Sequence, residues 1–206
     1  VVINDAANHA SIFDGCLLSG ADIKVYPHKD MRYLERILSR LPEEKTGRLI
    51  ITDGVFSMDG DMAPLDKVVQ YLRLYARSYF FSTALPASVA GGLNEVFKLL
   101  ASDNAGREKL WENINYLKLK LSEKGFDIGN SQSAVIPVMI YSEPVLFELY
   151  DKLRRNGVYV NIVTYPAVRR KECRMRLCAM KDLNFEQIER AVDIIAKYAR
   201  EYNVIS

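Results

Sequence analysis

Three short apolar runs, each separated from the next by a stretch of helical periodicity, set the fold class of this chain. Val1–Ile3 ends in polar Asn4-Asp5, Ala21–Tyr26 follows Gly20, and Arg48–Thr52 reads R-L-I-I-T. Between the first two, Ala10–Ser19 carries Ile12, Phe13, Cys16 and Leu17 at helical spacing. Between the second and third, Asp30 suits an N-cap for a helix with Met31, Leu34, Ile37, Leu38 and Leu41 inside, stopped by Pro42. Strands that alternate with helices imply a parallel α/β sheet. A glycine-punctuated loop, Asp53 to Asp61, then leads to Pro64 at a first helical turn and a helix burying Leu65, Val68, Val69 and Leu72.

The alternation falters after that helix. At Tyr75-Ala76-Arg77-Ser78 a turn and a strand are due. Tyr79-Phe80-Phe81 arrives instead, running into Ser82-Thr83-Ala84-Leu85-Pro86 and a helix with Val89, Leu93, Val96, Phe97 and Leu100. Ser102-Asp103-Asn104-Ala105-Gly106 is a turn cluster and an expected domain edge. Residues 1–102 read as part of a large α/β domain and 103–206 as a small α+β domain. In the latter, helices through Leu110–Leu121, Leu146–Leu153 and Phe185–Ala199 surround strands at Ala134–Tyr141, Val158–Val163 and Arg174–Ala179.

Composition narrows the function classes. A net charge of +2 points to neither nucleic acid nor strongly acidic partners, and Arg169-Arg170-Lys171 reads as a solvated loop. Three cysteines without a C-x-x-C pair argue for a reducing compartment, and no apolar run suits a signal peptide or membrane span, so the cytoplasm is expected. Only His9 and His28 are histidines, and neither stands at metal-ligand spacing from a carboxylate or cysteine, so no metal site is expected. No Walker loop, G-x-G-x-x-G fingerprint or G-x-S-x-G elbow occurs.

Order along the chain nevertheless marks a site. Ligands of α/β sheets collect at the carboxyl ends of strands. His9 follows the first strand, His28 the second, and Asp53 to Asp61 the third, so three polar loops share one sheet edge. Taken alone, His9 reads more readily as a hydrogen-bonded loop histidine, and Arg176 equally as half of a strand-end ion pair.

N-H-A-S-I-F-D-G from Asn8, Y-P-H-K-D from Tyr26, T-D-G-V-F-S-M-D-G-D from Thr52 and R-S-Y-F-F-S-T-A-L-P from Arg77 occur in the order seen in α-oxoamine synthases. G-F-D-I-G-N-S, I-P-V, G-V-Y-V and R-M-R-L continue the likeness to the end. The chain thus resembles that family of fold-type I, pyridoxal-phosphate-dependent acyl-CoA transferases. The resemblance implies condensation of a small amino acid with an acyl-CoA, with release of CoA and carbon dioxide. It also implies a homodimer with shared active sites. By the same resemblance His9 stacks on the cofactor ring and steers protons at Cα, and Ser57 hydrogen-bonds the cofactor. Ser82 and Thr83 reach its phosphate from the neighbouring subunit, and Arg176 holds the substrate carboxylate.

Departures accompany the likeness. The family's D-D-A-H strand end, whose aspartate keeps the cofactor nitrogen protonated, has no counterpart here. Neither has its G-T-x-S-K loop, whose lysine binds the cofactor covalently, nor its N-terminal third. A missing segment is therefore expected between Ala76 and Arg77, and Val1-Val2-Ile3 reads as a start inside a longer polypeptide. Tyr159–Val168 resembles the serine palmitoyltransferases of the family and Arg107–Asn113 its glycine C-acetyltransferases, while Val163-Thr164-Tyr165-Pro166 departs from the I-R-P-P of many of its 8-amino-7-oxononanoate synthases, so glycine, alanine and serine all remain open. Two rivals stand beside the synthase. One is a non-catalytic scaffold subunit without the lysine, and the other is an aminotransferase of the same fold.

Overall fold

The computed structural model describes residues 1–42, 47–75, 86–102 and 104–206, with the backbone alone for 71–75. The chain divides into two compact units, Val1–Phe56 with Met62–Gly91, and Ser57–Asp61 with Gly92–Ser206. The division falls between Gly91 and Gly92, inside a helix and earlier than the turn cluster at 102–106.

In the first unit β1 (Val2–Asp5), β2 (Ile23–Tyr26) and β3 (Leu49–Ile51) form a parallel sheet in the order β2-β1-β3. Helix α1 (Ala10–Leu18) links β1 to β2, and α2 (Met31–Arg40) links β2 to β3, as the apolar alternation predicts. The Asp30 carboxylate accepts from the Tyr33 N–H at 2.8 Å, capping α2 where an N-terminal donor would otherwise be orphaned. Leu34 and Leu38 bury against Ile3 and Tyr26.

Other helices bury less than their periodicity suggests. In α1 only Cys16 is buried, while Phe13 and Leu17 are exposed. In α3 (Leu65–Tyr75) Val68 is buried, but Leu65 and Val69 are exposed. Helix α4 (Ala87–Ser102) has no buried residue among those described: Val89, Leu93, Val96, Phe97, Leu99 and Leu100 are all exposed.

The second unit is better filled. Helices α5 (Ala105–Glu123), α6 (Glu143–Arg155) and α7 (Phe185–Glu201) pack with an antiparallel sheet of β4 (Val135–Met139), β5 (Asn161–Val163) and β6 (Arg174–Cys178). Strand β6 is central, in the order β4-β6-β5. Strand β5 is shorter than the apolar run Val158–Val163, because only its last three residues pair with β6. Asn184 caps α7 through a capping box with Gln187. Leu121, Ile136, Leu146, Leu149, Leu153, Met175 and Ile195 are almost entirely enclosed in one core. Truncation there leaves a cavity, whereas truncation on an exposed face does not. Leu149→Ala is expected to cost about 3 kcal/mol and Phe97→Ala less than about 0.5 kcal/mol in urea unfolding. Equal costs would contradict this burial pattern.

Candidate functional site

Polar side chains lace the carboxyl ends of β1, β2 and β3 together. Asp5 ends β1 and is 1% exposed. One carboxylate oxygen accepts from the Ala7 N–H at 2.9 Å and lies 2.9 Å from His28 Nδ1; the other accepts from the Lys29 N–H at 3.0 Å. The tip of β1 is thereby fastened to the loop after β2. Asn8 fastens it to β3. Its amide donates to Asn4 Oδ1 at 2.8 Å and to the Ile51 carbonyl at 2.9 Å, and its Oδ1 accepts from the Asp53 N–H at 2.8 Å. Asp53 returns the link by accepting from the His9 N–H at 2.8 Å.

His9 stands at the N-cap of α1. Its Nδ1 accepts from the Ser11 N–H at 3.3 Å and lies 2.8 Å from the Ser11 hydroxyl. A neutral ring accepting at Nδ1 carries its proton on Nε2, which makes no hydrogen bond among the described residues. The imidazole is exposed yet held at one edge, an arrangement suited to covering a flat ligand. His28 is instead a structural histidine, pinned by Asp5 and set edge-on to buried Phe56 with centroids 4.3 Å apart.

Tyr26, 1% exposed, closes the underside of this edge. Burial, reinforced by the Asp5 charge, pushes its phenol up to about 12. A raised pKa stabilises the fold fully below the unfolded value near 10, and that contribution is lost as pH climbs through the folded value. Unfolding free energy is therefore expected to fall between pH of about 10 and about 12. Tyr26→Phe should flatten that decline. An unchanged slope in the variant would remove Tyr26 as its cause.

In the second unit the candidate side chains come from β6. Arg174 and Arg176 are two apart on one strand, so they share a face, while Met175 between them enters the core. Arg174 is 5% exposed and engaged through Nε and Nη1. Its Nε donates to the Glu172 carbonyl at 2.8 Å, and Nη1 donates to the Met58 carbonyl at 3.2 Å and to the Asp59 carboxylate. The guanidinium thus clamps the segment Ser57–Asp61. Gly60 completes the clamp. Its φ is +68°, and a Cβ there would lie 2.0 Å from the Val135 carbonyl oxygen, while its own carbonyl accepts from the Gln132 N–H at 2.9 Å.

Arg176 makes only one long hydrogen bond among the described residues, to the Ser57 carbonyl at 3.4 Å, and its buried Nε has no partner among them. It lines a cavity of about 420 Å³ with Met58, Asn161, Val163, Thr164 and Tyr165. An unpaired buried donor is costly unless a ligand supplies the acceptor. The two arginines therefore differ in kind. Arg174→Met should lower stability by about 3 kcal/mol, through loss of a buried, charge-assisted hydrogen-bond set. Arg176→Met should leave the melting temperature unchanged or raise it. A large loss on replacing Arg176 would make it a structural residue.

Of the residues singled out by sequence, the structure brings Ser57 and Arg176 together in the second unit and sets His9 in the first. Ser82 and Thr83, like the junction between Ala76 and Arg77, lie outside the described residues. Sequence reasoning gave no role to Asn8, Asp53 or Arg174. The spacing of two in R-M-R was the available signal for Arg174. Among the described residues no group of carboxylate, histidine and cysteine side chains could hold a metal ion, and no helix is long and apolar enough to cross a membrane.

The family model described as aminotransferase class I and II matches residues 1–70 and 65–195. The chain belongs to this family. Within it, the relatives place the chain among the α-oxoamine synthases. It is 31% identical to an 8-amino-7-oxononanoate synthase of Alkaliphilus metalliredigens, and 30% identical to one of Thermoanaerobacter pseudethanolicus. In both cases 100% of this chain and 68% of the relative are covered. The fold is that of a Sphingomonas wittichii serine palmitoyltransferase, at a TM-score of 0.80 and 27% identity over 100% of this chain and 67% of the other. Both sequence alignments run over 268 positions, 62 more than this family member's 206 residues. The two matched stretches overlap at 65–70.

Proposed function

We propose that this chain is the recognisable part of a pyridoxal-phosphate-dependent α-oxoamine synthase, which condenses glycine, alanine or serine with an acyl-CoA. The observation that carries the proposal is the unpaired Nε of Arg176, buried beside a cavity of about 420 Å³. A guanidinium fork with a free edge matches a carboxylate in two-point contact. Solved structures of serine palmitoyltransferase with pyridoxal phosphate share the fold.

The residues present suit the coenzyme in two respects. His9 offers an exposed ring fixed through Nδ1, and the half-buried Ser57 has a hydroxyl with no partner among the described residues. When bound, pyridoxal phosphate supplies an electron sink for bonds broken at the amino-acid Cα. His9 would cover one face of the pyridine ring and move the Cα proton through Nε2. Ser57 would hold the cofactor by its hydroxyl, and Ser82 and Thr83 would hold the phosphate. Arg176 would hold the substrate carboxylate. The acyl-CoA thioester then acylates Cα, with loss of CoA and carbon dioxide.

We assign the covalent lysine and the ring-nitrogen aspartate to the 62 positions by which the relatives' alignments exceed this chain. The outward apolar face of α4 supports a homodimer, because a patch of that kind marks an association surface. A cytoplasmic setting fits the free cysteines. The missing lysine also favours a second reading, a non-catalytic scaffold subunit. Retention of an unpaired Arg176 speaks against it, since a scaffold gains nothing from that cost.

Protein expressed from the whole gene, incubated with pyridoxal phosphate and reduced with borohydride, separates the two readings. The synthase predicts a visible absorption band and one trapped lysine outside these 206 residues, with a dimer mass by light scattering. His9→Ala should slow turnover at least tenfold, as loss of a proton-transfer group does, and keep the band. No trapped lysine would leave the scaffold. Unchanged turnover in the variant would remove His9 from the chemistry.

A further inference from the structure

The sheet register around Arg176 carries one step more. Arg176 on β6 lies opposite Pro137 on β4 and opposite Asn161 on β5. Directly opposed residues of antiparallel strands project to the same face, with Cα atoms about 5 Å apart. The register therefore sets the buried, apolar Pro137 on one side of Arg176 and Asn161 on the other, and Asn161 and Arg176 both line the cavity. Asn161 is exposed on the cavity wall and makes no side-chain hydrogen bond among the described residues. The Thr164 hydroxyl on the same wall is engaged with the Tyr165 carbonyl at 3.3 Å, and Met58 is apolar. Beside the Tyr165 phenol, the wall thus offers two polar residues on paired strands with capacity to spare, a cation for a carboxylate and an amide that can both donate and accept.

We propose that Asn161 is a specificity-determining residue that reads the side chain of the amino acid whose carboxylate Arg176 holds. A hydroxyl one bond beyond Cβ lies within about one side-chain reach of the carboxylate. It can accept from the amide NH₂ or donate to the amide oxygen. Alanine and glycine offer neither contact and leave the amide facing a methyl group or a gap. The site accordingly favours serine over alanine and glycine. One neutral hydrogen bond in a partly open cavity is worth about 1 kcal/mol, which is about fivefold in affinity. This inference rests on the carboxylate role proposed for Arg176.

The test is calorimetric titration of the full-length protein, dialysed after incubation with pyridoxal phosphate, with L-serine, L-alanine and glycine as separate probes. Wild type should bind serine about fivefold more tightly than alanine. Asn161→Ala, at an exposed position, should keep the wild-type melting temperature and its affinity for alanine, and bring serine to within about twofold of alanine. Arg176→Gln should lose all three. Serine preference surviving in Asn161→Ala, or missing from wild type, overturns the role of Asn161. Retention of all three ligands by Arg176→Gln instead overturns the carboxylate reading while leaving the Asn161 comparison legible. Failure of wild type to bind any of the three overturns both.

Discussion

The buried guanidinium of Arg174 is the contact on which the rest of the second unit's site depends. It joins the neighbouring Glu172 carbonyl to two acceptors more than a hundred residues away, the Met58 carbonyl and the Asp59 carboxylate. A charge at 5% exposure is tolerable only when it is well partnered, and here Nε and Nη1 donate to protein oxygens while Nη2 lies 3.9 Å from a Glu172 carboxylate oxygen. The clamp sets Ser57–Asp61 along the face of β6, where Gly60 admits the close approach that any Cβ would block. Because Arg174 takes these acceptors, Arg176 two residues later is left with a single long contact among the described residues. One arginine builds the wall and the other remains available to a ligand.

The first unit solves a different problem, the placement of loops at the end of a narrow parallel sheet. Asp5 and Asn8 satisfy backbone donors and acceptors from the loops after β2 and β3, so three strand tips are fixed by side chains of one segment. His9 follows directly and inherits that rigidity through its N–H bond to Asp53. Its ring is oriented by Ser11 and not by burial, which leaves the imidazole surface open. Positioned but uncovered is the state in which an aromatic side chain can meet a planar ligand.

Much of this was legible in the residues. The alternation of apolar runs with helical stretches announced β1 to β3 and their parallel order, and Asp30 and Asn184 cap the helices they precede. Two things were not legible. Helical periodicity shows which face of α1, α3 or α4 is apolar but says nothing of whether a surface exists to cover it. Phe97 at 65% and Leu17 at 57% exposure show faces left uncovered among the described residues. Equally, nothing local separates Arg174 from Arg176. They are the same residue type on the same face, and only the tertiary placement of Ser57–Asp61 decides which one is paired. The start of β5 was misread for a similar reason, since Val158 to Val160 are as apolar as the strand they precede and only register excludes them.

At the centre stands Arg176, whose guanidinium has a single long contact among the described residues and which we propose holds the carboxylate of the amino acid to be acylated. Release of free CoA thiol, followed over a panel of acyl-CoA donors with and without glycine, alanine or serine, addresses that role most directly. The expected result is thiol release that depends on both substrates and is matched mole for mole by carbon dioxide from the amino-acid carboxyl. Thiol release independent of the amino acid, or none with any donor in protein carrying the trapped lysine, would contradict it.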